Sequence, residues 1–300
     1  METYRYFMCP ECHSSLNEGL KCTGCGKQYS YRHGVFNLIS NNLSGNQFYL
    51  NKIEIPNDKD GMDELFYSIW GRKNLSDEEL WKDYYSRFNK ETLEAYQKQT
   101  EYVKNILRSL SGTVCDLATG GGTMLQQLID SGNHNIQIVC TDINELELIC
   151  TRRRRNGERD NICYVVTDGR YLSIQDNSFD YIVSLSGFGN IPEADKVAKE
   201  LYRVLKPGGK IIIQDGFIEK DTKSYELAIS VGVERGVVEE FLTEDLLTAG
   251  FENVHFEIIA EAVWAENPDD LIPAAGDMQR YCVIIAEKNV SVGKDRKNDT

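Results

Sequence analysis

Val114-Cys115-Asp116-Leu117-Ala118-Thr119-Gly120-Gly121-Gly122-Thr123, running on into Met124-Leu125-Gln126-Gln127-Leu128-Ile129, decides how this chain is read. A short apolar run ends in an acid, three residues follow, then three glycines, and apolar residues resume at helical spacing. The pattern predicts strand, tight turn, helix. Glycine is required where a chain reverses so sharply and lets a ligand touch its backbone, because a Cβ bars positive φ and close approach. The unpaired N–H groups of a helix start can then hold a polar or anionic ligand group. A ligand-free glycine turn gives the same residues. A dinucleotide fold also puts glycines here, but its third glycine would fall at Leu125, and Asp116 stands before the turn, so the nicotinamide reading drops.

Further along, strand and helix patterns alternate, which predicts a parallel sheet with covering helices. Ile136-Gln137-Ile138-Val139-Cys140-Thr141 reads as a second strand ending at Asp142, at the sheet edge where a carboxylate can accept from two ribose hydroxyls. A helix-capping role for Asp142 stays open. Residues 161–167 form a third strand before Asp168-Gly169, which an ordinary turn would also explain. Phe179-Asp180-Tyr181-Ile182-Val183 forms a fourth, and Ser186-Gly187-Phe188-Gly189-Asn190-Ile191-Pro192 a polar loop. Leu205-Lys206-Pro207-Gly208-Gly209 turns into Ile211-Ile212-Ile213. Together these segments resemble, in order and spacing, the class I S-adenosylmethionine-dependent methyltransferases, of the kind called methyltransferase type 11. The resemblance implies an α/β, Rossmann-like, mostly parallel sheet with its last strand antiparallel. It also implies S-adenosyl-L-methionine as cofactor, held by Asp116, Ala118, Gly120, Gly122, Asp142, Ile143, Asp168, Gly169 and Ser184. Asn190, Asp215 and His255 are candidates to orient or deprotonate an acceptor, with ordinary structural roles as the alternative.

Cys9-Pro10-Glu11-Cys12 and Cys22-Thr23-Gly24-Cys25 place two C-x-x-C pairs near the start. Four thiolates on two tight turns suit tetrahedral structural Zn²⁺, which can contribute roughly 10–16 kcal/mol to folding a segment too short to bury its own core. His13 and His33 are possible substitutes for one ligand. Cys115, Cys140, Cys150, Cys163 and Cys282 are scattered in or beside apolar runs and read as small buried hydrophobes. The segment from Cys9 to Leu38 resembles the zinc ribbon of the methyltransferase-activator type. A group of ribosomal RNA guanine methyltransferases carries such a ribbon before the same catalytic fold, with a histidine as fourth ligand where this chain offers Cys25.

The expected organisation is a zinc ribbon at 1–40, a linker at 41–60, a helical lid or connector at 61–110, the methyltransferase domain at 111–288 and a disordered tail at 289–300. In the lid, Ser76-Asp77-Glu78-Glu79-Leu80 reads as a helix start, and Trp81, Tyr84, Tyr85 and Phe88 as an aromatic band. The band is ordinary core or, by the resemblance, brings Tyr84 or Tyr85 to the cofactor. Arg152-Arg153-Arg154-Arg155, closed by Asn156-Gly157, suggests an RNA contact but reads better as a solvated helix end that offsets the dipole. The 300 residues carry a formal charge of −14, which argues against a surface that grips phosphate backbones. No long apolar run or secretory core appears, so the chain reads as soluble and cytoplasmic, with no membrane contact and no indication of oligomeric state. The expected activity is methyl transfer to an O, N or S nucleophile of a small molecule. An RNA methyltransferase that recognises its target through the ribbon, and a non-catalytic docking protein, remain the alternatives.

Overall fold

The computed structural model describes residues 6–40, 55–70, 79, 82, 85–86, 88–155, 159–266 and 271–290. The expected helix start at Ser76, with Trp81, Tyr84, Asn156, Gly157, most of the linker and the tail from Ser291, lies outside the described residues.

Nine strands form one sheet, β1 (Ser30–Arg32), β2 (Val35–Asn37), β3 (Gly112–Leu117), β4 (Ile136–Asp142), β5 (Ile162–Val166), β6 (Phe179–Leu185), β7 (Leu205–Ile218), β8 (Phe251–Val263) and β9 (Met278–Lys288), in the order β1-β2-β5-β4-β3-β6-β7-β9-β8. The run from β2 to β7 is parallel. β9 is antiparallel to both β7 and β8, as the resemblance implies. The helices are α1 (Lys59–Trp70), α2 (Lys90–Leu107), α3 (Thr123–Asp130), α4 (Glu145–Arg154), α5 (Ala194–Val204), α6 (Lys223–Val231), α7 (Glu234–Val237) and α8 (Glu239–Ala249). None is long and apolar enough to cross a membrane.

Strand residues alternate between two buried layers, as a sheet covered on both faces requires. Cys115, Leu117, Ile182, Ile211 and Ile213 face the layer built by Val197, Leu201, Leu242 and Leu246 of α5 and α8. Val114, Val183 and Ile212 face the layer built by Leu107, Leu125, Leu128 and Leu148 of α2, α3 and α4. Helix starts follow the local sequence: Asn89 accepts from the Thr92 N–H at 2.7 Å and Asn144 from the Glu147 N–H at 3.2 Å.

The cysteine-bearing segment does not close on itself before residue 40, because β2 pairs with β5 (Val35↔Tyr164, Asn37↔Val166) and extends the main sheet. Phe7, Leu16, Tyr29 and Leu38 belong to the same buried cluster as Val165 and Ile174. A segment with too little apolar surface of its own borrows the domain's core. Within residues 61–110, expected as a helical lid or connector, one helix packs on the sheet. α2 lies on β8 and β9, and its buried Gln99 donates to the main-chain carbonyls of Asp215 (2.8 Å) and Cys282 (2.7 Å).

Candidate active site

β3 has β4 on one side and β6 on the other, so the chain leaves its carboxyl end at the point where strand order reverses. Such a reversal opens a crevice at the carboxyl edge of a parallel sheet. The cleft found there is lined by Asp116, Leu117, Ala118, Thr119, Gly120 and Gly121 at and beyond the end of β3, by Thr141, Asp142 and Ile143 at the end of β4, by Thr167, Asp168 and Gly169 after β5, and by Leu185, Ser186, Gly187, Asn190 and Ile191 at and beyond the end of β6. The three acids singled out in the sequence therefore meet in one place.

Their environments differ. Asp116 is fully buried, and neither carboxylate oxygen has a hydrogen-bond partner among the described residues. Burial, with the charge of Asp142 adding to it, pushes its carboxyl up to about 8. Asp142 is better supplied: Oδ2 accepts from the Gly120 N–H at 2.9 Å and Oδ1 from the Asn144 N–H at 2.8 Å. Burial still raises it to about 6, those backbone donors pulling the other way. Asp168 is held by Arg170, whose Nε and Nη2 reach its two oxygens at 3.0 and 2.7 Å, while Nη1 bonds Glu193 at 2.8 Å. The Arg170 side chain is 2% exposed and that of Asp168 5%. Removing one partner of such a pair leaves a buried charge alone, typically at about 3–5 kcal/mol. Arg170→Met is accordingly expected to lower the unfolding free energy by about that amount, measured by urea titration; a change below about 1 kcal/mol would contradict the pairing.

Not every residue expected at the cofactor faces the cleft. Gly122 is left-handed at φ 77°, but a Cβ there would lie 2.5 Å from the Thr151 methyl group. It lets α4 pack under the turn, and Gly121 takes the lining position instead. Ser184 is buried, its hydroxyl donating to the Leu117 carbonyl at 3.0 Å and accepting from the Phe188 N–H at 3.1 Å. Tyr85 donates to the Tyr96 hydroxyl at 3.2 Å and is absent from the lining. Among the acceptor-side candidates, Asn190 lines the cleft and Asp215 sits behind its rim. His255 is exposed on the edge strand β8, bonded to Glu257, and belongs to no site with the other two.

The sequence reading did not single out Thr119, Thr141 and Thr167, whereas the loop from Ser186 to Pro192, expected to face the transferred methyl, does contribute Ser186, Gly187, Asn190 and Ile191 to the lining. At Gly187 a Cβ would stand 2.8 Å from both Cβ and the carbonyl oxygen of Ala118, so only glycine lets the β3 and β6 loops meet at the cleft floor. Of the four arginines ending α4 only Arg153 is exposed, so the run is not a wholly solvated face. Arg152 lies across Gly34, Arg153 pairs with Asp63, Arg154 with Glu147, and Arg155 donates to the Gly121 carbonyl at 3.1 Å. They brace the turn and the neighbouring chain, so the feature that suggested RNA has a structural occupation.

Near the start, the sulfurs of Cys9, Cys12, Cys22 and Cys25 lie within 4.8 Å of one another, with Cys9–Cys25 at 3.6 Å and Cys12–Cys22 at 3.3 Å. His33 is turned away, its Nε2 bonded to the Pro56 carbonyl at 2.8 Å, and neither His13 nor His33 is in the cluster.

Residues 80–231 match the model of the ubiE/COQ5 methyltransferase family, just over half of the chain. The chain is 27% identical over 197 residues to the ubiquinone/menaquinone biosynthesis C-methyltransferase of Rickettsia typhi, covering 56% of this chain and 79% of that protein. It is 30% identical over 188 residues to the same enzyme of Rickettsia prowazekii, covering 52% and 75%. Among solved structures, phosphoethanolamine N-methyltransferase 2 of Haemonchus contortus, in complex with S-adenosyl-L-methionine, superposes with a TM-score of 0.50 at 19% identity, over 64% of this chain and 52% of that one.

Proposed function

Since the chain belongs to the ubiE/COQ5 methyltransferase family and is an S-adenosylmethionine-dependent methyltransferase, we propose that it methylates a ring carbon of a small dihydroxylated aromatic acceptor. The observation carrying the cofactor assignment is the convergence of Asp116, Asp142 and Asp168 on one cleft at the strand reversal. In this reading the Asp142 carboxylate accepts from the ribose hydroxyls, and Asp168 with Gly169 borders the adenine. The Gly120–Gly121 turn meets the methionyl end at the uncapped start of α3. Asp116 supplies negative charge beneath the sulfonium and ammonium groups. The acceptor class rests on the Rickettsia relatives, which act on carbon; it replaces the O, N or S nucleophile expected from sequence.

When bound, the cofactor supplies an electrophilic methyl group and its own leaving group. The chain's part is to orient an acceptor behind that methyl, and alignment of this kind can lower a barrier by roughly 7–11 kcal/mol. The test is transfer of labelled methyl to 1,4-dihydroxynaphthalene or 1,4-dihydroxybenzene held reduced, with the position of the new methyl read by NMR. Absence of carbon methylation on both rings would refute the acceptor. Asp142→Ala is expected to weaken S-adenosylhomocysteine binding by about 100-fold or more, the cost of two lost hydrogen bonds to a charged group at about 1.5–3 kcal/mol each. Calorimetric affinity within twofold of the wild type would count against the ribose assignment.

The same proposal assigns Zn²⁺ to Cys9, Cys12, Cys22 and Cys25. Tetrahedral coordination with bonds of about 2.3 Å needs sulfurs about 3.8 Å apart, and the four sulfurs already meet at close to that spacing. The Gly24 and Cys25 N–H groups point at the Cys22 sulfur at 3.4 and 3.3 Å, as they do at thiolate knuckles. Four protein ligands leave no open position, so the ion's part is structural.

A further inference from the structure

Past the rim of the cleft, the carboxyl end of β7 runs on beside β9 and β8, with α2 lying on the same face. Here Gln214 donates to Gln99 at 3.3 Å, and the Gln99 amide in turn serves the Asp215 and Cys282 carbonyls. The polar atoms beyond them are not so served. Trp264 is 8% exposed and Thr92 1%, and among the described residues neither the Trp264 Nε1 nor the Thr92 Oγ1 has a hydrogen-bond partner. The Gln279 Oε1 is buried without one as well. Strand register puts these atoms in one patch. Ala262 pairs with Gln279, and the Trp264 N–H donates to the Asp277 carbonyl at 2.9 Å, so Trp264 and Gln279 are diagonal neighbours across β8 and β9. Diagonal neighbours stand roughly 7–8 Å apart, within reach of long side chains. Trp264 and Ala262 share a buried cluster with Ala95 of α2, which lies one helical turn from Thr92. At Gly216, on the adjoining strand, a Cβ would stand 1.9 Å from the Gln279 Nε2, so glycine is what lets that amide lie over β7. Buried polar groups are nearly always paired, and three orphans on one face point to a ligand that pairs with them.

We propose that Gln279, Trp264 and Thr92 form an acceptor subsite that holds the ring hydroxyl farther from the methylated carbon. The inference rests on the reading of the acceptor as a dihydroxylated ring. A neutral hydroxyl has one proton to donate and two lone pairs to accept with. The patch supplies the matching set: the Gln279 Oε1 accepts, and the Trp264 indole N–H and the Thr92 hydroxyl donate. The charge pattern also favours a neutral group. Arg280 alternates onto the opposite face of β9, where Glu219 and Glu239 hold it, so it supplies no cation to the patch for a carboxylate or phosphate. The flank is aromatic, the Phe88 ring standing 5.5 Å from that of Trp264 and 6.4 Å from that of Tyr96, which suits a flat ring. The subsite also lies within reach of the cleft. The Ser186 N–H donates to the Gln214 carbonyl at 2.9 Å, and Gly216 is two residues further along β7, roughly 7 Å on, a span that a fused pair of rings covers. Trp264 and Gln279 both lie beyond the residues 80–231 that match the family, so membership alone gives them no role.

The experiment measures, by calorimetry on the protein saturated with S-adenosylhomocysteine, the affinities of reduced 1,4-dihydroxynaphthalene and of 1-hydroxynaphthalene, which has one hydroxyl fewer. Wild type, Gln279→Met and Trp264→Phe are compared. The wild type should prefer the dihydroxy ring by about tenfold or more. Each variant should weaken the dihydroxy ring by about tenfold and the monohydroxy ring by less than about threefold, so that the preference collapses. Affinity for S-adenosylhomocysteine itself should stay within about twofold of wild type, and Gln279→Met, which removes an unpaired buried oxygen, should unfold no earlier than wild type. The subsite is overturned if the wild type shows no preference, if both variants keep the dihydroxy affinity within about twofold, or if they weaken the two rings equally, the mark of mere packing. Should the wild type bind neither ring, the acceptor reading itself falls and the subsite with it.

Discussion

Asp116→Asn should lose most of its affinity for S-adenosylmethionine while the ligand-free protein becomes more stable above pH 8. The two halves have one cause. In the ligand-free protein the carboxyl is fully buried, which raises it from 3.8 to about 8, and among the described residues neither of its oxygens has a hydrogen-bond partner. The native state therefore holds a proton that the unfolded chain releases near 3.8. Between those two values native stability falls as pH rises, and above about 8 the whole penalty is present. An amide removes the titration and with it the penalty. A cationic ligand reverses the balance, because a sulfonium and an ammonium placed over the carboxylate stabilise its charged form. Below about pH 8 the wild type must give up a proton to bind, so affinity should drop by up to tenfold per pH unit as pH falls. Asp116→Asn should show about 10- to 100-fold weaker binding near neutrality, the range for a lost charged hydrogen bond, and a flatter pH dependence. Calorimetry in two buffers of different ionisation heat would count the protons, and differential scanning at pH 8.5 would give the midpoint. A variant that binds as tightly as wild type, or that unfolds earlier in the ligand-free state, would show that Asp116 serves the fold and not the ligand.

The contrast between Asp116 and Asp142 marks where the sequence stops being informative. Both acids end an apolar strand before a polar turn, and that much identifies a sheet edge and a crevice. Periodicity also places β3 to β7, since each strand writes its two-faced burial into residues next to each other along the chain. What separates the two acids is the supply of donors. Asp142 receives the Gly120 N–H from a turn 22 residues earlier, whereas neither oxygen of Asp116 has a hydrogen-bond partner among the described residues. The same limit explains the misplaced residues. Glycine spacing reveals that a turn needs absent side chains, not that Gly121 faces the ligand while Gly122 faces Thr151. Four arginines in a row announce charge, but their partners Asp63 and Gly121 are fixed only when α1, α4 and the turn come together. The short Val35-Phe36-Asn37 strand has no pattern of its own that would announce a parallel partner 129 residues later at Val166.

That last pairing would make loss of the Zn²⁺ proposed at the four cysteines an event at the cofactor cleft. The residue before Cys9 donates from its N–H to the Ser173 carbonyl at 3.0 Å, Gln175 donates to the Tyr6 carbonyl at 2.8 Å, and Phe7 bridges Ile174. On the far side of the knuckles, the Leu38 N–H donates to the Val166 carbonyl at 3.0 Å, and the Ser173 hydroxyl to the Leu38 carbonyl at 2.7 Å. Ser173 in turn donates from its N–H to the Thr167 hydroxyl at 2.9 Å, and Thr167, Asp168 and Gly169 are the wall assigned to adenine. Both ends of the cysteine segment thus hold one stretch, residues 166–175. A structural zinc site contributes on the order of 10 kcal/mol, more than the contacts of a segment this short can replace, so stripping the metal should release β1 and β2. β5 would become an exposed edge with Val165 and Val166 open to pairing with other chains. Zinc removal by a chelator, or Cys9→Ser with Cys12→Ser, should therefore lower the thermal midpoint by more than about 10 °C, promote aggregation and weaken S-adenosylhomocysteine binding at least tenfold. Linkage requires the converse, that saturating S-adenosylhomocysteine raises the zinc affinity by the same factor, read by equilibrium competition with a chromogenic chelator. Equal affinity with and without the metal would confine zinc to local folding and remove the adenine wall from its reach.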